Sequence, residues 1–387
     1  MEFESAKETA QRLGVNIRTV QKWAKESKLK GARRLGREWL IPTNATPFDG
    51  NDDEKQSLHQ LMPVLSNNYV PGHCMDMIES LEDEADRAIG LAEYNYYKGN
   101  TQQAIEISEL YLNHKDYNVA LSASFIYTFS NLSSGRLHLS KLGLANIKRM
   151  VLKALNQTDA EFTASAVFIG TATLVLLHQD ASEIPDIQSV MKDLPKGLKV
   201  FSAYLMAHKA YLRQDYSRAI GIAEGVLAVK DADYPVPSLY LKLMRCVCLM
   251  NLKDSKGAKS AFGDINPIAL DEEILQPFAE HHGLLQGIIE SEVKKSRPTA
   301  YKKIQDLVGR FSKGWRTVYN EFTQNNVTVC LTTTEFAVAM LFNRNWSVKE
   351  ISDHMDISPR MVKHHLSVIY EKLDVSNREE LGRFLLK

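Results

Sequence analysis

Residues 331–387 read LTTTEFAVAMLFNRNWSVKEISDHMDISPRMVKHHLSVIYEKLDVSNREELGRFLLK, and their spacing decides the fold of this end of the chain. Thr332 to Thr334 offer hydroxyls to cap a helix that continues through Glu335, Ala339 and Phe342. Ser347, followed three residues later by Glu350, is a capping box that opens a second helix, with Val348, Ile351 and Met355 on its inner face. Ile357 packs in the turn. Ser358 then caps a third helix that starts on Pro359, where a missing amide costs nothing. Met361, Val362, Leu366, Ile369 and Leu373 recur at helical spacing and are expected to face inward. That leaves Arg360, Lys363, His364 and Ser367 outward, as on a helix that reads a groove. Val375-Ser376-Asn377 turns into a last helix, Arg378 to Leu386.

The opposite terminus carries a second pattern of this kind. Ser5 and Glu8 form another capping box, and Ala6, Ala10 and Leu13 share one helical face. Gly14 stops that helix and Asn16 caps the next. Val20, Trp23 and Ala24 pack this second helix against the first, while Ile17, Arg18, Thr19, Gln21, Lys22 and Lys25 face out. Residues 31–34 and 37–41 read as two short strands around Leu35-Gly36, a wing whose arginines, Arg33, Arg34 and Arg37, suit phosphates or a narrow minor groove.

Charge agrees with this placement. The chain has 387 residues, 44% apolar and 24% charged, with a formal net charge of +0. Residues 1–41 hold ten Lys/Arg against five Glu, whereas residues 331–387 hold eight of each sign. The part between holds 29 basic and 34 acidic residues. A basic head on an acidic body suits a polyanionic partner for the head.

Between the two ends, amphipathic helical patterns follow one another from residue 58 to 311. Three segments share a motif: Leu91-Ala92, Tyr96-Tyr97, Gly99, Ala104-Ile105; then Met206-Ala207, Ala210-Tyr211, Asp215-Tyr216, Ala219-Ile220; then Val247-Cys248, Met250, Asp254, Ala258. Small residues let one helix pack closely, a tight polar turn reverses the chain, and a small residue begins the next contact face. The aromatic clusters Tyr94/Tyr96/Tyr97 and Phe125/Tyr127/Phe129 are expected in the core. Cys246 and Cys248 are expected as small core residues. His281-His282 and His364-His365 are taken as surface or groove residues, since adjacent side chains point to different helix faces.

Motif chemistry is sparse. The sequence contains no G-x-x-x-x-G-K-[ST], H-E-x-x-H or G-x-S-x-G pattern, so no catalytic residue, metal site or cofactor is assigned. The four cysteines have no metal spacing. A charged N-terminus and the absence of a long apolar run give the expectation of a cytoplasmic protein that enters no membrane.

Three resemblances follow from these residues. The C-terminal stretch resembles the LuxR/GerE-type helix-turn-helix over its whole length. That implies a third helix in the major groove, with Lys363, His364 and Ser367 near bases or phosphates. It places Lys349 and the Thr332/Thr334 region on the DNA backbone, and makes Leu381 and Leu385 a dimer face. The N-terminal stretch resembles the excisionase and MerR-like winged helix-turn-helix family through Leu13-Gly14-Val15, Arg18-Thr19-Val20, Trp23, Leu35-Gly36-Arg37 and Trp39-Leu40-Ile41-Pro42. The three repeated segments resemble tetratricopeptide helix pairs, which implies an α-solenoid.

The expected fold is mainly α. It comprises a winged helix-turn-helix over 1–42, a linker over 43–57 and a tetratricopeptide-like helical sensor or interaction domain over 58–311. A linker over 312–330 and a four-helix LuxR-type module over 331–387 complete it. The expected function is a regulator of transcription that binds double-stranded DNA as a homodimer, with a peptide, protein or small-molecule effector held by the body. The competing expectation is a tetratricopeptide adaptor whose helix-turn-helix modules make protein contacts.

Overall fold

The computed structural model describes residues 3–25, 29, 32–35, 38–43, 59–156, 159–179, 182–265, 269–270, 272–319 and 331–385. The chain divides into two units, Met1–Leu58 and His59–Lys387.

In the first unit, strand β1 (Phe3–Ser5) leads into helices α1 (Ala6–Leu13) and α2 (Ile17–Lys25), followed by strands β2 (Arg33–Leu35) and β3 (Glu38–Pro42). The hairpin expected from the sequence is thus part of a three-stranded antiparallel sheet in the order β1-β3-β2. Glu4 stands opposite Ile41 on one side of β3, and Arg34 stands opposite Trp39 on the other. The sheet and the two helices enclose a small core of Ala6, Ala10, Val20, Ala24, Leu29 and Ile41. The linker expected over 43–57 lies outside the described residues beyond Thr43.

The second unit is helical throughout its described residues. It opens with α3 (Pro63–Ser66), α4 (Cys74–Glu79), α5 (Glu84–Lys98), α6 (Thr101–Tyr111), α7 (Tyr117–Ser133), α8 (Leu137–Leu155), α9 (Ala160–Leu176) and α10 (Ile187–Val190). It continues through α11 (Lys196–Leu212), α12 (Tyr216–Val229), α13 (Pro235–Asn251), α14 (Ser255–Gly263), α15 (Gln276–Leu285), α16 (Ile288–Glu292) and α17 (Pro298–Tyr319). Helices α18 (Thr333–Asn343), α19 (Val348–Met355), α20 (Pro359–Leu373) and α21 (Arg378–Phe384) close it. The three segments singled out by their small-residue motif are the helix pairs α5/α6, α11/α12 and α13/α14, each joined by a tight turn. Gly99 at the first turn has φ +78, and Gln214 and Lys253 at the other two have φ 61 and 62. The left-handed backbone is the shared device, and only the first turn uses the residue that adopts it freely.

Helix α17 runs on to Tyr319, so the first eight positions of the linker expected over 312–330 are helical. Among the described residues, no helix is long and apolar enough to cross a membrane.

The core is continuous through the second unit, from Leu61 to Leu385. Tyr94, Tyr96, Tyr97, Phe125 and Phe129 are buried in it, and Tyr127 is buried beside it. So are Cys74, Cys246 and Cys248, whose thiols burial pushes upward, to about 12 for Cys246 and Cys248. The core also holds polar groups. The Glu93 carboxylate accepts the backbone N–H of Val64 at 2.8 Å and of Leu65 at 3.0 Å, fixing α3 against α5. Burial pushes its pKa up to about 8. The Tyr96 and Tyr240 hydroxyls both donate to the Glu280 carboxylate. His281 and His282, expected at the surface, are buried at 2% and 3% exposure. His281 Nδ1 donates to the Pro277 carbonyl at 2.8 Å, which leaves Nε2 to accept from the Tyr204 hydroxyl at 3.1 Å. His282 Nε2 meets Glu290 Oε1 at 2.7 Å. Each ring is buried because a partner satisfies its polar edge.

Helix α11 crosses α3 so closely that a Cβ on Gly197 would lie 2.0 Å from the Leu65 carbonyl oxygen and 2.7 Å from that of Ser66. Gly197→Ala is expected to destabilise the second unit by about 1–3 kcal/mol, the usual cost of overpacking against a backbone that cannot retreat. Urea denaturation followed by far-ultraviolet circular dichroism measures it.

Candidate nucleic-acid interface

At the N-terminal end, the Ser5/Glu8 capping box forms as expected. Ser5 N–H donates to Glu8 Oε2 at 2.7 Å and Glu8 N–H to Ser5 Oγ at 3.3 Å. Gly14 turns the chain at φ 65, and Asn16 Oδ1 accepts from Arg18 N–H at 2.9 Å. Val20 and Ala24 anchor α2, at 0% and 4% exposure. The opposite face shows Arg18, Gln21, Lys22 and Lys25 to solvent, while Thr19 is half-buried. On the wing, Arg33 and Arg34 are exposed. The Arg33 guanidinium lies 4.5 Å from the centre of the Phe3 ring, so β1 helps to hold one arginine in place. Arg37 lies outside the described residues.

At the C-terminal end, all three caps form. Thr332 Oγ1 accepts from Glu335 N–H at 3.2 Å, Ser347 Oγ from Glu350 N–H at 3.2 Å, and Ser358 Oγ from Met361 N–H at 3.2 Å. The Glu335 carboxylate in turn accepts from Thr332 N–H at 2.8 Å and from Lys372 Nζ at 2.8 Å. The usual place for glycine before α19 is taken by Asn345, whose φ of 62 is tolerated by a short amide side chain. Val362, Leu366, Ile369 and Leu373 form the buried stripe of α20. Arg360, Lys363, His364 and Ser367 stand together on the exposed side, and Lys349 is exposed at the start of α19.

Two expectations for this end fail. Met361 is 44% exposed rather than inward. One residue advances a helix by about 100°, which carries Met361 off the stripe centred on Val362. Leu381 and Leu385 are 0% and 6% exposed, buried in their own chain. Helix α21 packs against α18, so these leucines are core and offer no face to a second copy.

Residue spacing does not disclose how the module is held. Helix α19 packs against the body as well as against α20. His354, 3% exposed, is its centre: Nε2 lies 2.9 Å from the Gln286 carbonyl oxygen and Nδ1 lies 2.7 Å from Ser255 Oγ. A carbonyl only accepts, so Nε2 carries the proton and Nδ1 accepts from the serine. Lys259 Nζ donates to the His354 carbonyl at 2.7 Å, and the Trp346 ring lies 5.4 Å from the imidazole. Around it, Arg344 donates to Asn251 Oδ1, Lys253 Nζ donates to the Asn345 carbonyl at 3.1 Å, and Lys295 pairs with Asp356. Gln305 Nε2 donates to Thr333 Oγ1 at 2.9 Å. The module therefore docks through its back, and the outward face of α20 stays in solvent.

Among the described residues, one grouping has metal-ligand character: His59, Asp83 and Asp86. Asp83 Oδ1 already caps α5 by accepting from Ala85 and Asp86 N–H, and Asp86 Oδ1 accepts from Gln60 N–H. Those bonds account for the cluster as a helix cap.

Residues 329–385 match the family model described as bacterial regulatory proteins, luxR family, and residues 5–45 match the model described as helix-turn-helix domain. No curated protein and no solved structure matches the chain. The chain thus carries a helix-turn-helix domain toward each terminus, and those domains support a DNA-binding regulator.

Burial lowers the His354 pKa from 6.5 to about 4. A lowered histidine contributes stability that is present above 6.5 and is lost as pH falls from there toward 4, because the unfolded ring takes up a proton first. His354→Ala is expected to speed amide exchange in α19 while leaving α7 unchanged, and to flatten the acid loss between pH 6.5 and 4. Hydrogen exchange with mass spectrometry reads both.

Proposed function

We propose that the chain regulates transcription by binding double-stranded DNA through two reading modules, with the helical body as the part that senses a partner or effector. The observation that carries this reading is the exposed set Arg360, Lys363, His364 and Ser367 on one face of α20, directly over the buried stripe of Val362, Leu366, Ile369 and Leu373. A helix seated this way presents side chains to base edges while its own module stays packed. Exposed Met361 adds an apolar tip beside this face, suited to a thymine methyl. Thr332 and Lys349 are assigned to phosphates.

In the winged module, Arg18, Thr19, Gln21, Lys22 and Lys25 belong to the groove-facing side of α2, and the wing arginines Arg33, Arg34 and Arg37 to the DNA backbone. A homodimer would bring up to four such heads to an extended site, where linkage raises effective concentration. Its contact surface lies away from the buried Leu381 and Leu385. The tetratricopeptide likeness of α5/α6, α11/α12 and α13/α14 supports a binding role for the body.

Two sets of substitutions separate reading from holding. Replacing Lys363 and His364 with alanine is expected to lower discrimination between the preferred site and random DNA by about 1–3 kcal/mol. Replacing Arg33 and Arg34 should weaken all sequences alike and reduce the slope of log K against log salt by about 2. Fluorescence anisotropy on fragments selected from genomic DNA measures both. Unchanged binding in both variants would overturn the reading in favour of a protein-binding adaptor.

A further inference from the structure

Helices α6 and α8 are neighbours of α7, which is buried along nearly its whole length. Both pack against it, α8 so closely that a Cβ on Gly143 would lie 2.2 Å from Thr128 Oγ1. The starts of the two helices are joined. Arg136 Nη2 donates to Gln102 Oε1 at 2.6 Å, and Ser134 Oγ donates to Thr101 Oγ1 at 2.8 Å. A short turn on each side of α7 makes it antiparallel to both. Helices α6 and α8 therefore run parallel, side by side, and their exposed sides form one surface.

The two halves of that surface carry opposite charge. Helix α6 holds Glu106 and Glu109, both exposed, and no Lys or Arg. Helix α8 holds Lys141, Lys148, Arg149 and Lys153, all exposed, and no acidic residue. Arg149 donates to a neutral amide, Asn146 Oδ1, at 2.6 Å, and Lys148 makes no ion pair among the described residues. Leucines stand among these charges: Leu110 on α6 is 80% exposed, and Leu142 and Leu152 on α8 are 54% and 50% exposed. One such leucine is ordinary on a surface, whereas three on two adjoining helices form an apolar patch with a polar border. On α8, Leu142, Ala145, Arg149 and Leu152 recur at alternating steps of three and four, with Lys148 and Lys153 at the flanks. That is the pattern of a helix that receives another helix.

We infer that α6 and α8 form the contact surface for a second copy of this chain, the basic helix of each copy on the acidic helix of the other. Charge selects this pairing. Setting α8 against α8 would oppose cations to cations, and α6 against α6 would oppose glutamates to glutamates. A two-fold axis parallel to both helices and midway between them avoids both clashes. It makes the same α8-on-α6 contact twice, as an isologous dimer requires. The register agrees. Leu110 stands about 12 Å along α6 from Gln102, and Ala145 about 14 Å along α8 from Arg136, by the helical rise per residue. The partner's Leu110 thus comes level with Ala145, a small side chain one turn beyond Leu142. The partner's Glu109 comes beside Lys148 and Arg149, and the partner's Glu106 lies toward Lys141. Leu152 lies past the end of the partner's α6.

This surface rests on the homodimer reading given above, and sedimentation velocity of the full chain without DNA tells the two apart. The unaltered chain is expected to sediment as a dimer at about 100 μM and to dissociate more readily as salt rises, because exposed charge pairs are screened. The variant Lys148→Glu with Arg149→Glu, and the variant Glu106→Lys with Glu109→Lys, are each expected to weaken self-association at least about tenfold by setting like charges opposite one another. All four side chains are exposed, so far-ultraviolet circular dichroism should be unchanged in both. An equimolar mixture of the two variants is expected to recover association to within about threefold of the unaltered chain, since both contacts then pair opposite charges again. A chain that stays monomeric at about 100 μM would overturn the homodimer reading and this surface together. A dimer undiminished in either variant would overturn the surface alone. Loss in each variant without recovery in the mixture would overturn the pairing of α8 with α6.

Discussion

A neutral imidazole sits at the centre of the joint between the C-terminal helix-turn-helix and the helical body. His354 must donate through Nε2 to Gln286 and accept through Nδ1 from Ser255, so only one of its protonation states and one tautomer serve the joint. Burial holds the ring in that state by disfavouring the charged form. Further bonds surround the ring. Arg344, Asn345 and Asp356 lie at the two ends of α19, and each bonds to the body. The two turns that bound this helix, at Asn345 and Asp356, are left-handed, with φ of 62 and 54. Helix α19 is thus fixed at its middle and at both ends, which makes the module an extension of the body's core.

This arrangement divides labour between two neighbouring helices. Helix α19 packs its second face on the body, and α20 leaves its outward face exposed. The module is packed through its back, and Arg360, Lys363, His364 and Ser367 stand clear of that contact. The body itself is cross-linked by buried polar groups. Glu280 takes two tyrosine hydroxyls, Tyr204 bridges His208 and His281, and Glu93 fixes α3. Satisfied networks of this kind permit few alternative packings, since each rearrangement leaves a buried polar group unpaired.

Local chemistry was legible in the sequence. The capping boxes at Ser5 and Ser347, the hydroxyl cap within Thr332 to Thr334 and the Pro359 start mark helix beginnings that the structure reproduces, because a cap is decided within four residues. The apolar stripe of α20 was legible for the same reason. What periodicity does not disclose is what lies across from a face. Leu381 is expected from the sequence at a dimer face, whereas in the fold it is fully buried where α21 packs against α18. His281 and His282 are adjacent and both buried, which requires partners up to 77 residues away, such as Tyr204. Strand β1 has three residues and no alternation to detect, and its pairing with β3 supplies the order. Among the charged positions of the candidate interface, exposure on the described elements followed the sequence reading, while Met361 shows how a residue at the margin of a stripe escapes it.

The buried thiols carry a last consequence. Cys74, Cys246 and Cys248 sit in the core of the second unit with 0% exposure, and their ionisation is pushed far above neutrality. Oxidants and electrophiles react with thiolates that they can reach, and these three groups are neither ionised nor accessible. The thiols of the helical body are for that reason packing groups: they fill space between helices as small apolar side chains do, and thiol chemistry does not reach them.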